Sequence, residues 1–177
     1  MKKIILTLMA FSLMHEIHAQ NDSIAMSQMN KLGVYYLRND TLVQITPIMM
    51  ESIKSNGNPF SAKGSIVYEG EVSENILPNT PTFYVFIPKE YSSMINVKQF
   101  RMVTLTSNKG KRYLNISSIS MFGGRTGAKT QTMEIKNLND ECYKIYTKDV
   151  IPIGNYGIFY NYGGSIPQKL YDFDITK

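Results

Sequence analysis

From Gly33 to Ile175 the chain is a succession of short runs rich in Val, Ile, Thr, Tyr and Phe, punctuated by turn residues about every 8–12 positions. No segment sustains an apolar 3.6-residue period over three turns, so any helix is minor, with a short one expected near Pro88 to Met94. Such patterning does not build helical layers or a βαβ sheet. It predicts an all-β or nearly all-β fold, an antiparallel β-sandwich or barrel-like domain of about nine or ten short strands. A 43% hydrophobic content supplies a packed core, and 177 residues make room for one domain.

Local chemistry places several of the connections. Gly33-Val-Tyr-Tyr-Leu37 and Leu42-Val-Gln-Ile45 flank Arg38-Asn-Asp-Thr41, whose Asn-Asp pair tolerates positive φ and predicts a hairpin. A second hairpin is expected where Phe100 to Thr106 passes through Ser107-Asn-Lys-Gly-Lys111 into Arg112 to Ser118. Further strands are expected at Gly64 to Glu71, Thr82 to Ile87, Thr130 to Lys136, Glu141 to Lys148, Gly154 to Tyr162 and Lys169 to Ile175. Ser55-Asn-Gly-Asn-Pro59 reads as a loop. Ile151-Pro-Ile-Gly-Asn-Tyr156 enters its strand through a Pro/Gly turn, an arrangement that suits a tyrosine corner between sheets.

The first nineteen residues have the order of a secretory signal peptide: Lys2 and Lys3, an apolar run from Ile4 to Met14, and the small Ala19 at the expected cut. That run is shorter than the about 20 residues of a membrane-spanning helix, so no transmembrane segment is expected after cleavage. Residues 20–32 then form a linker or short helix, and 33–177 a single β domain. Export to the periplasm, the outer membrane or the medium follows. The leader takes both histidines, His15 and His18, which excludes Ser-His-Asp triads and His-ligated zinc from the remaining chain. Cys142 is the only cysteine, so no intrachain disulfide forms; its strand context predicts a buried, inert thiol. The net charge of +5 is scattered rather than clustered, which is no nucleic-acid footprint.

Few residues are left to carry chemistry. Gly123-Gly-Arg-Thr-Gly-Ala-Lys-Thr130 has the glycines of a phosphate loop, but Ala128 separates Gly127 from Lys129 and a hairpin precedes it. It reads as a flexible loop in which Arg125 and Lys129 are candidate contacts for a small anion or sugar acid. Glu69 with Glu71, and Asp172 with Asp174, sit two apart on expected strands, so each pair projects from one face. Their separation of about 6.5–7 Å falls within the about 5–10 Å of a glycosidase pair. Solvent-facing sheets carry the same alternation. Twelve tyrosines are read chiefly as strand residues packing at core edges; the alternative is a ligand platform with Tyr160 and Tyr162 as its candidate contacts, and the absence of tryptophan counts against a sugar platform. No catalytic residue, cofactor motif or metal-ligand set is identified.

Four stretches resemble an uncharacterised family of exported proteins from Gram-negative bacteria. Pro81-Thr-Phe-Tyr84 is similar to the family's Pro-x-Phe-Tyr strand entry, and Gly154-Asn-Tyr-Gly-Ile-Phe159 to its Gly-Glu-Tyr-x-Phe strand, with Asn155 for the glutamate. Tyr171-Asp-Phe-Asp-Ile175 resembles its closing Tyr-Asp-Phe-Gly-Ile, with Asp174 for the glycine, and Lys98-Gln-Phe-Arg-Met-Val103 resembles its middle strand. The resemblance implies a β-fold and export and transfers no activity. Asp22-Ser23-Ile24 and Asp40-Thr41-Leu42 match the triplet that some Gram-negative bacteria O-glycosylate, making Ser23 and Thr41 candidate sites. The sequence is thus read as a secreted, non-enzymatic β-domain that binds an envelope glycan or another envelope protein. The alternatives are a structural or adhesive envelope component and, less favoured, a carboxylate-based hydrolase.

Overall fold

A computed structural model describes residues 20–58, 61–120, 123–126, 129–161 and 167–176. Residues 1–19, read above as a signal peptide, and Tyr162 lie outside the described residues. Helix α1 covers residues 20–28, and strands follow in the order β1 (Gly33–Arg38), β2 (Thr41–Gln44), β3 (Ile48–Asn58), β4 (Ser61–Glu69), β5 (Ile76–Leu77) and β6 (Thr82–Phe86). Then come β7 (Phe100–Asn108), β8 (Lys111–Ser120), β9 (Gly123–Thr126), β10 (Thr130–Gln131), β11 (Glu134–Asn137), β12 (Cys142–Tyr146), β13 (Gly154–Tyr160) and β14 (Lys169–Ile175). The short helix expected after Pro88 is a single 3₁₀ turn at Lys89–Tyr91. Among the described residues no helix is long and apolar enough to cross a membrane.

The fold joins both expected architectures. Strands β7, β13, β14, β3, β4 and β8 pair in that order, and β8 returns to β7 through Thr106↔Tyr113 to Asn108↔Lys111, closing a six-stranded barrel. A five-stranded antiparallel sheet, β11-β12-β6-β1-β2, packs against one wall of it. Side-chain alternation makes three cores from two sheets. On β13, Tyr156 and Ile158 enter the layer between sheet and barrel, whereas Phe159 enters the barrel beside Val103, Leu114 and Leu170. On β6, Phe83 and Val85 face the barrel wall, whereas Tyr84 faces α1 with Ala25, Met29, Tyr35 and Cys142. Strands buried on both faces need near-continuous apolar runs, which is why Thr82–Phe86 reads TFYVF. Gly157 is required by close approach: a Cβ there would lie 2.6 Å from Cγ of Leu170 inside the barrel.

Both predicted hairpins are present. Asn39 and Asp40 turn at φ 51° and 58°, and Lys109 and Gly110 at 52° and 76°, the paired positive values of two-residue hairpin loops. The tyrosine corner is present too. Tyr156 Oη donates to the Pro152 carbonyl at 2.8 Å, while its ring stacks on Phe173 at 5.6 Å between the sheets.

Other expectations are corrected. Residues 55–58 are not a loop, because β3 runs to Asn58 and pairs along β4 down to Asn58↔Ser61. Residues 123–126 are not a flexible loop either, because Gly123–Thr126 forms β9 on β8. In both places backbone pairing overrides turn-type composition. The single strand expected from Thr130 to Lys136 is two: β10 pairs with β7 of the barrel, and β11 crosses to β12 of the sheet. Asp172 and Asp174 are on no solvent face. They are 3% and 5% exposed and share the barrel-facing side of β14 with Leu170.

Residues 20–28 dock by a buried acid. Asp22 accepts from Lys144 at 2.7 Å, Lys136 at 3.2 Å and Tyr84 Oη at 3.1 Å. Burial alone would push its carboxyl up, but the two lysines and the phenol together hold it below its ordinary value. Cys142 is buried beside them, as expected, and that burial, with Asp22 nearby, pushes its thiol up to about 12.

Candidate functional site: a cleft at a breach in the barrel wall

Among the described residues β14 and β3 pair only at Lys169↔Met49 and Leu170↔Ile48, with one further bond from Met50 N–H to the Gln168 carbonyl at 2.8 Å, so the barrel wall is thin there. Beyond Leu170 that edge of β14 has no strand partner until Asp174 meets Ile76 of β5. Side chains fill the interval. The Asp172 carbonyl accepts from Ser73 Oγ at 3.1 Å and Asn75 Nδ2 at 3.0 Å. Arg112 of β8 lies in the opening, donating to the Gly70 carbonyl at 3.0 Å, the Glu69 carbonyl at 3.1 Å and the Asp172 carboxylate. Asp174 accepts from Ser73 N–H at 2.8 Å and Asn155 Nδ2 at 2.7 Å.

A cleft of about 520 Å³ opens over this breach, between β2, an edge strand of the five-stranded sheet, and the barrel. Arg112 and Asp172 form one wall with Ile48; Val43 and Thr46 line the sheet side; Val72, Glu74 and Asn75 come from the segment before β5. Tyr36 and Arg38, two apart on β1, project from the same face into the lining. Tyr36 is only 2% exposed, and its hydroxyl has no hydrogen-bond partner among the described residues. Arg38 and Glu74 are exposed, and no ion pair joins either to another described residue. With Arg112 neutralised by Asp172, the described residues of the lining leave one free cation and one free anion. Compared with protein-family models, curated proteins and solved structures, the chain matches none. The chemistry of the cleft is therefore read from its own residues.

The residues singled out from sequence do not assemble here. Arg125 lies on β9 opposite Ser118, and Lys129 is an exposed residue whose carbonyl accepts from Thr104 N–H at 3.2 Å. Tyr160 ends β13 in a second cavity of about 480 Å³, also lined by Tyr143 and Asn96. Its hydroxyl accepts from Asn96 N–H at 3.0 Å and donates to the Met94 carbonyl at 3.3 Å, and its ring meets Phe100 edge-on. That tyrosine ties a loop to the barrel. Ser23 and Thr41 are exposed, although Asp22 beside Ser23 is buried and engaged. Glu69 and Glu71 are exposed outside the cleft lining. Among the described residues no three His, Cys, Asp or Glu side chains gather as a metal site. Asn155 and Asp174, the two departures from the family motifs, are register partners that hydrogen-bond each other.

Proposed function

We propose that this chain is an exported, non-enzymatic binding module of the cell envelope and that it takes a small polar ligand in the cleft beside Tyr36. The Tyr36 hydroxyl carries the reading. A buried hydroxyl without a partner costs about 1–3 kcal/mol, and a ligand group that bonds it, once the Tyr36 side chain turns it towards the cleft, would recover that cost on binding. The cleft volume falls within the about 300–1,000 Å³ of small-molecule sites. Asp172, the most buried acid of the lining, is committed to Arg112, which favours binding over hydrolysis. The adhesive alternative needs a free strand edge, and β2 is partly closed, since the Leu42 N–H donates to Gln28 Oε1 at 3.0 Å. Export rests on the leader and on the resemblance to exported proteins.

The test is a titration of the isotope-labelled protein, followed by NMR, with a panel of saccharides, amino acids and organic acids. Shifts confined to residues around Tyr36, Arg38 and Glu74, weakened by Tyr36→Phe, support the reading. No shift at the cleft from any of them, or shifts only elsewhere, overturns it.

A further inference from the structure

Resting on that reading, we infer that the ligand is a neutral saccharide, held between the Arg38 guanidinium and the Glu74 carboxylate with one hydroxyl on Tyr36. The free groups of the lining have opposite hydrogen-bond character. A guanidinium only donates, a carboxylate only accepts, and the Tyr36 hydroxyl does either. A ligand bonding all three must donate and accept from closely spaced atoms, as the hydroxyls of a pyranose ring do. A single-signed ion would meet attraction at Arg38 and repulsion at Glu74, or the reverse. The cleft has no net charge to favour such an ion, since Arg112 and Asp172 cancel within it. The apolar part of the lining is aliphatic, from Val43, Ile48 and Val72, which suits the C–H face of a sugar ring. Val72 is 70% exposed and is available for that contact.

The experiment uses calorimetry and NMR on the leaderless protein with a neutral disaccharide, a uronic-acid disaccharide of the same linkage, and a dipeptide. The neutral disaccharide is expected to bind at the cleft. Arg38→Met and Glu74→Gln are each expected to weaken it about tenfold or more, as loss of a hydrogen bond to a charged group does. Both residues are exposed and form no ion pair with another described residue, so the variants should melt like the parent, and a melt beside each titration verifies this. Preference for the uronic acid, abolished by Arg38→Met, or preference for the zwitterionic dipeptide, overturns the saccharide assignment and leaves the binding module standing. Silence of the cleft towards all three overturns the assignment, and the wider panel then decides the module.

Discussion

Removing one member of the Arg112–Asp172 pair should destabilise the barrel at least as much as removing both. The side chains are 3% and 5% exposed, and the guanidinium makes three bonds, to Asp172 and to the carbonyls of Glu69 and Gly70. Asp172→Asn leaves a buried cation facing a neutral amide. Arg112→Met leaves a buried carboxylate, while the two carbonyls turn to water, because Glu69 and Gly70 are exposed. Stranding one charge of a buried pair costs about 3–5 kcal/mol, and water in the adjoining cleft places each single variant near the lower figure, about 3 kcal/mol. The double variant strands neither charge and should cost no more than either single. The coupling would then be about 3 kcal/mol, at the upper end for residues in contact. Urea melts at neutral pH with unchanged m-values measure all four corners. Two single losses below about 1 kcal/mol that simply add would show that the pair does not close the barrel.

Tyr156→Phe removes the bond to the part-buried carbonyl of the exposed Pro152, which can turn to water, and should cost about 0.5–1.5 kcal/mol in the same melts; a loss below about 0.5 kcal/mol would mark Tyr156 as an ordinary strand residue. Asp22 is held below its ordinary value of 3.8, so its stabilisation is full above that pH and fades as pH falls through the lower folded value. Asp22→Asn should therefore lower the neutral-pH melting temperature and flatten the acid limb of its pH profile, and an unchanged acid limb counts against the buried anchor. Cys142 should react with a thiol reagent only after denaturation, and faster in Asp22→Asn if α1 docking shields it; rapid labelling of the native parent refutes the burial. Protein recovered from the envelope should begin at Gln20, whereas an intact Met1 would sink the secretory reading.

What could be read in advance was local. The hairpins rest on Asn39-Asp40 and Lys109-Gly110, the corner on a Pro/Gly turn before Tyr156, and the apolar runs on strands buried twice. Each is a property of neighbouring residues. Barrel closure is not: its β7–β8 contact is the predicted hairpin itself, but the ring closes only through β13 beside β7 and β14 reaching β3. The cleft was hidden for the same reason. Ser73 and Asp172, 99 positions apart, meet only when β14 closes the wall. Tyr36 stood among several strand tyrosines with nothing adjacent to distinguish it. One signal was present in period two: Arg112, Leu114 and Ile116 share a face of β8, and a charge on an otherwise apolar face implies a buried partner.

The breach explains why the residues that close the barrel stand beside those proposed to bind a ligand, yet are different residues. Where β3 leaves β14, backbone pairing stops and the barrel would expose unpaired groups of β14 to its own interior. Ser73, Asn75 and Arg112 replace the missing strand with side-chain bonds, which occupy less of the edge than a strand would and so leave a cleft beside it. The closing side chains are bonded to one another and to carbonyls, leaving little capacity for a guest. Tyr36, Arg38 and Glu74 stand on the other sides of the cleft, bonded to nothing that closes the barrel. Substitutions at the first group should therefore appear in denaturant melts, and substitutions at the second in ligand titrations. A cleft left over by incomplete closure, with no binding role, would show the first effect without the second.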